Sequence, residues 1–248
     1  MLIDILTRND IPHSYENYAA SRLGAQLARR NVRYRHIHRL DRYFHEVRDE
    51  RPDWTIAFEE LLPCKRPLCD ILALPHFHWE RKALCGLEHL KSSPHCTIGF
   101  HEPVAGVYLL PLPAERVAPQ PKQFDSVLFL DLTEEKRSLV EGFDSRIDIF
   151  GHHQCVNWLA TLKNRHLVHL HMAVPFSEQL RILAMSRFVV MEPSGVLAPF
   201  AILADCLPVA APVSEKDRLE KLALLTRRVV EENSWERSTD VLLSWSLH

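Results

Sequence analysis

Glycine is scarce, with seven in 248 residues. None of the seven falls in a G-x-G-x-x-G turn or in G-x-x-x-x-G-K-[ST]. The dinucleotide-dehydrogenase and P-loop readings therefore lose the backbone loop that their phosphate cradles need. G-x-S-x-G is absent as well, which removes the strained elbow of the α/β-hydrolases. No cysteines stand at C-x-x-C spacing: Cys64, Cys69, Cys85, Cys96, Cys155 and Cys206 are scattered, most of them in apolar stretches. That usage fits buried thiols in a reducing compartment better than a disulfide framework or a zinc site. No apolar run approaches the roughly 20 residues of a membrane span. The opening "MLIDILTRND" carries an acid at its fourth position, which suits a first strand better than a secretory signal. The expectation is a cytoplasmic protein without a membrane span. Neither sign of charge dominates: 30 Lys and Arg stand against 32 Asp and Glu, for a formal net charge of −2. Nothing in that balance pulls the chain toward nucleic acid.

What is present is an ordinary folded composition, 46% hydrophobic and 25% charged, enough for a real core. Short apolar runs alternate with helical patterns almost throughout, which is the mark of βα units wound into parallel sheets. In the first half, "LIDILT" (2–7), "VRYRHI" (32–37), "DWTIAF" (53–58), "DILALPHF" (70–77) and "CTIGF" (96–100) read as strands. Helices are expected over about 14–30, 41–51 and 79–92. The texture then changes, with Pro111, Pro113, Pro119 and Pro121 close together and no helical period, as expected of a domain boundary. Beyond it, "SVLFLDL" (126–132), "RIDIFG" (146–151), "LVHLHM" (167–172), "RFVVME" (187–192) and "LPVAAP" (207–212) form a second strand series. Helices are expected over 134–142, 154–163 and 176–186, with a helical tail from Ser214. The predicted fold class is α/β, with a Rossmann-like domain over 1–112 and a second one with a helical tail over 113–248.

In a doubly wound sheet, ligands bind beyond the carboxyl ends of the strands. The break at Pro193, Ser194 and Gly195 falls at such an end. Ser194 or Gly195 there caps the following helix, and the free amides of Gly195, Val196 and Leu197 make a positive pole suited to phosphate. The plainer reading is that every βα loop needs a cap. His36 and His38, His76 and His78, and His169 and His171 each put two imidazoles on one strand face, and His152 and His153 are adjacent. No acid or cysteine recurs at a fixed offset from them, so no metal site is expected.

The stretch 168–212 resembles the donor-binding half of the two-domain GT-B glycosyltransferases. The resemblance rests on "FSEQLRILAMS", then a strand ending in Pro-Ser, then "FAILADCLPVAAP" in the place of an "EAMA.G.PVV" helix. Upstream, "SVLFLDLTEEKRSLVEGFDSRIDIFG" is similar to the strands and basic helix that open the same domain, above all in the spore-maturation-type group. Over the amino-terminal half the likeness is one of layout. Ala201 stands where the pattern has its second glutamate, Cys206 stands for its glycine, and "LTEEKR" replaces its glycine-rich turn.

The resemblance implies two Rossmann-like domains facing across a cleft, and transfer of a sugar from a nucleotide-sugar donor to an unknown acceptor, with no metal or other cofactor. Basic groups and helix amides then neutralise the departing diphosphate. On the donor side it points to Lys136, Arg137, Gly151, Glu192, Ser194, Gly195 and Val196, with Glu192 in reach of the ribose hydroxyls. Read without it, "EEKR" is a solvated helix face. On the acceptor side it points to His76, His101 and Glu16 as groups that take the acceptor's proton or bond the sugar. Asp10, His13 and His78 lie in the same loops and strand ends. A catalytically silent GT-B relative that binds a nucleotide, a sugar or a protein partner is the alternative.

Overall fold

The computed structural model describes residues 1–8, 14–81, 84–118, 120–130, 136–152, 156–191 and 197–245. The chain divides into two compact units, one of residues 1–113 with 235–248, the other of residues 114–234.

The first unit is a parallel six-stranded sheet with helices between its strands. In chain order it runs β1 (Leu2–Leu6), α1 (Tyr15–Arg29), β2 (Arg33–Ile37), α2 (Leu40–Asp49), β3 (Trp54–Ala57), α3 (Leu68–Leu72), β4 (His76–Trp79), α4 (Glu88–Lys91), β5 (Cys96–Phe100) and β6 (Tyr108–Leu109). The spatial order is β2-β1-β3-β4-β5-β6, with β1 beside both β2 and β3 in register. Strand β1 is buried along its whole length, which is why it reads as an unbroken apolar run. Asp4 is its exception. Its carboxylate accepts two bonds from the Arg35 guanidinium, at 2.7 and 2.6 Å, and one from the Tyr43 hydroxyl at 2.7 Å. Helix α1 starts at Ser14, whose hydroxyl accepts the Asn17 amide at 3.3 Å, and it buries Ala19, Ala20, Leu23 and Leu27.

Two local expectations are corrected here. Residues 70–77 do not form one strand: Leu68–Leu72 is helical, and β4 begins at His76. The run is bounded by Pro67 at the helix cap and Pro75, and Ala73 ends the helix in the left-handed region at φ 49°. A short apolar run between prolines carries no periodicity that separates helix from strand. Nor does a helix fill 79–92. Trp79 ends β4, Gly86 takes φ +84°, and the helix is confined to Glu88–Lys91.

The second unit is a parallel five-stranded sheet. It runs β7 (Phe124–Phe129), α5 (Arg137–Glu141), β8 (Ile147–Gly151), α6 (Val156–Leu159), β9 (Val168–Met172), α7 (Phe176–Ala184), β10 (Ser186–Val190), α8 (Ala198–Leu203), β11 (Leu207–Val209) and α9 (Glu215–Glu232). The spatial order is β11-β10-β7-β8-β9. Leu128, Val140, Ile147, Ile149, Leu159, Val190, Leu207 and Leu222 share its core. Lys122 is tied down beneath it. Its ammonium donates to the carbonyls of Ala184, Ala204 and Asp205 at 3.2, 3.3 and 2.8 Å, closing the carboxyl ends of α7 and α8.

The tail departs from the expected boundary. Its second helix, α10 (Trp235–Trp245), follows a break at Asn233 and Ser234 and belongs to the first unit. Arg30 on α1 donates to Asp240 at 2.7 Å and Gln26 to Glu236 at 3.1 Å. The Trp235 ring packs edge-on to Trp79, and Trp245 lies against Phe77 and Tyr108. Gly99 makes room for this packing, because a Cβ there would sit 2.4 Å from the Phe77 ring. The apolar spacing of 214–248 announces helices. It does not say which sheet each one covers.

Candidate functional site

In the second unit the chain order reverses between β7 and β10: successive crossovers run outward through β8 and β9, and then return to the other side of β7. The carboxyl ends of β7 and β10 therefore flank a topological switch point, where open α/β sheets take their ligands. Lys136, the cap residue of α5, donates its ammonium to the Phe129 carbonyl at the end of β7, at 2.6 Å. Arg137 opens α5. Its guanidinium donates to Glu141 at 3.1 Å and to the Thr161 carbonyl at 3.4 Å, and its side chain is 45% exposed. Gly151 ends β8, buried and paired with Met172 of β9. Past β10, the Met191 amide is fixed to Val209 at 2.9 Å. Glu192, Ser194, Gly195 and Val196 follow in the chain and lie outside the described residues. Ala201 is fully buried in α8, so no carboxylate stands at that position.

In the first unit, polar groups gather at the carboxyl ends of β4 and β5. Glu16, in the first turn of α1, is ion-paired with Arg81, and the Arg81 guanidinium lies 4.8 Å above the Tyr15 ring. Burial pushes the Tyr15 phenol well above its ordinary range. Glu80 accepts from the Arg81 amide at 2.8 Å and meets His78 Nε2 at 3.0 Å. His78 is buried, and its Nδ1 has no hydrogen-bond partner among the described residues. His101, after β5, stacks on Phe100 at 4.3 Å and stands 3.7 Å from Glu102. Both its ring nitrogens are buried without hydrogen bonds among the described residues. Burial lowers its pKa, with Glu102 and Glu80 opposing, so the ring is neutral near pH 7 and able to accept a proton.

His76 is placed differently. It stands at the amino-terminal end of β4, buried, with Nδ1 2.7 Å from the Thr55 hydroxyl. Burial, with the neighbouring His78, drives its pKa down to about 3. Asp10 and His13 lie outside the described residues. His36 and His38 share the Thr7 hydroxyl, at 3.1 Å each, and His171 bonds Asp148 at 2.8 Å. Among the described residues no three His, Cys, Asp or Glu side chains converge as a metal site. Glu80 and Arg81 were not singled out by sequence reasoning. The available signal was "HFHWE", whose alternation puts His78 and Glu80 on one strand face.

A pocket of about 450 Å³ opens at the carboxyl ends of β1 and β3. Leu40, Phe44, Leu61 and Leu62 give it an apolar wall, and Arg8 and Glu60 give it charge. Glu60 is paired with His89, and the Arg8 amide donates to Glu59 at 2.7 Å. Here too the site sits at a switch point, because β1 is flanked by β2 and β3. Size and lining both fall in the range of small-molecule sites.

Comparison with solved structures identifies the fold. AviGT4, a glycosyltransferase involved in avilamycin A biosynthesis, matches with a TM-score of 0.64 at 10% identity, over 99% of this chain and 97% of that one. A mutant of phage T4 BGT in complex with UDP-glucose matches with a TM-score of 0.50 at 11% identity, over 100% of this chain and 97% of that one. No protein-family model and no curated protein matches the sequence. The fold is that of the GT-B glycosyltransferases, with two Rossmann-like domains.

Proposed function

We propose that the protein is a glycosyltransferase that moves a sugar from a nucleotide-sugar donor, held by the second unit, to a hydroxyl of an apolar acceptor, held by the first. The observation that carries this reading is the correspondence of the whole chain to AviGT4, strand series for strand series in both units. BGT, caught with UDP-glucose, supports the donor class. In the proposed reaction the acceptor oxygen bonds the anomeric carbon as the bond from that carbon to the diphosphate breaks. The acceptor's proton passes to a base, and the nucleoside diphosphate leaves.

Lys136, Arg137 and the backbone amides of the Ser194–Val196 segment take up the developing diphosphate charge in place of a metal ion. Arg137 is suited to this. Its ion pair with Glu141 is half-exposed, and such pairs are worth about 1 kcal/mol or less, so a doubly charged diphosphate displaces it at small cost. Glu192 bonds the ribose. The neutral His101 serves as the base, with Glu16 and its Arg81 partner shaping the acceptor side. The pocket walled by Leu40, Phe44, Leu61 and Leu62 receives the acceptor's apolar body.

The test is release of nucleoside diphosphate from a panel of nucleotide sugars, with and without apolar alcohols. Release that depends on the alcohol supports transfer. A second reading, nucleotide binding without transfer, draws on the buried Ala201, which leaves one ribose hydroxyl without its usual acceptor. Saturable binding with no release under any alcohol selects that reading.

A further inference from the structure

Cys69 on α3 and Cys96 at the start of β5 interact through their thiols. Both are free. Ser93 stands between them: its hydroxyl lies 3.6 Å from the Cys69 sulfur, and its carbonyl accepts the Cys96 amide at 3.4 Å. The same hydroxyl is anchored on the Asp70 carboxylate. Cys69 is buried, whereas Cys96 is half-buried and lines a pocket of about 350 Å³ with Lys91, Ile98, Val107 and Tyr108. A small solute that enters this pocket therefore meets one thiol with the second beside it.

We infer that Cys69 and Cys96 are an oxidation site, at which a peroxide converts two thiols into a disulfide joining α3 to β5. The inference lies outside the sugar-transfer reading and stands or falls without it. Hydrogen bonds from the Cys96 and Ser93 side chains outweigh burial at Cys69 and bring its pKa down to about 7. Its partner Cys96 is pushed well above the thiol range. A sizeable fraction of Cys69 is thus the nucleophilic thiolate at neutral pH, with Cys96 keeping its proton. The Cys69 thiolate attacks one oxygen of hydrogen peroxide and the O–O bond breaks. The departing hydroxide takes a proton, giving water and a sulfenic acid on Cys69. The Cys96 sulfur, losing its proton, then attacks the sulfenyl sulfur and expels the second water. Peroxide gains two electrons and the thiol pair loses two.

The test treats the reduced full-length chain with hydrogen peroxide, blocks the remaining thiols under denaturing conditions, and maps the peptides by mass. The expected product is the Cys69 peptide linked to the Cys96 peptide with the loss of two hydrogens, reversed by a reductant. In Cys96→Ser, dimedone traps the sulfenic acid on Cys69. In Cys69→Ser, the Cys96 thiol is still alkylated in full at the same peroxide dose. A Cys64→Ser/Cys85→Ser variant gives the same crosslink and excludes those thiols as the partner. Full alkylation of both Cys69 and Cys96 after a dose that oxidises the exposed Cys85 would overturn the inference, as would a crosslink from Cys69 to any other cysteine.

Discussion

The backbone amide of Ala114 donates to the carbonyl of Asn233 at 2.7 Å. Ala114 is the first residue of the second unit and Asn233 its last but one, so the inbound and outbound strands of chain are fastened to each other inside that unit. Ala114 is buried, and an orphaned buried carbonyl costs about 1–3 kcal/mol. Ala114→Pro removes the donor. It is expected to lower the urea midpoint and to speed proteolysis within residues 114–123. Unchanged cleavage and midpoint would show that the bond holds nothing together.

Asp4 is fully buried and satisfied by Arg35 and Tyr43. Asp4→Ala strands a guanidinium and a phenol at once and should cost about 3–5 kcal/mol, as breaking a buried pair does. Tyr43→Phe deletes one bond to a charged group and should cost about 1.5–3 kcal/mol. Equilibrium unfolding in urea ranks the two. Equal losses would mean that Arg35 contributes nothing through this contact.

Stability should fall in acid through histidines held neutral. Burial, with a neighbouring imidazole, holds His76 down to about 3 and His36 to about 4, against about 6.5 in an unfolded chain. The folded pKa lies below the unfolded one, so the unfolded chain takes up these protons first as pH drops. Their contribution is complete above about pH 6.5 and is lost progressively toward pH 4. His76→Asn, which keeps a polar atom for Thr55, should flatten part of that slope in melting temperature against pH. An identical slope in wild type and variant would remove His76 from the account.

The apolar pocket predicts a change in acceptor affinity alone. Leu62→Asp puts a charge on a wall that otherwise gains roughly 1.5–3 kcal/mol by covering one apolar side chain. The KM for an apolar alcohol should rise about tenfold or more, while the melting shift given by a nucleotide stays as it was. An unchanged KM places the acceptor elsewhere.

Much of the fold is legible in the sequence because both sheets are parallel and covered on their faces. Runs such as "LIDIL" and "RFVV" are buried on both sides, and they read as strands without help from tertiary context. Helix α3 is not legible, since "LCDIL" between prolines carries no period, and its end depends on the backbone of Ala73. Nor is the return of α10, because Trp235 and Trp245 find their partners, Trp79, Phe77 and Tyr108, only once the first sheet exists. For the site, the sequence identifies chemistry-bearing types at strand ends, His101 and Glu16 among them. It does not show that Glu16 is held by Arg81, or that His76 sits at the wrong end of its strand to join the cluster of His78 and Glu80. Those relationships are set by register and by distant pairing, which one-dimensional spacing does not encode.

Ligand-induced melting shifts with nucleoside diphosphates and nucleotide sugars test the central claim most directly. At a hundredfold excess over Kd a bound nucleotide stabilises by about 2.7 kcal/mol, a rise of several degrees in a chain of this length. The account predicts that rise for at least one nucleotide, and its loss in Arg137→Glu with the ligand-free melting point kept. No shift with any nucleoside diphosphate or nucleotide sugar would contradict it.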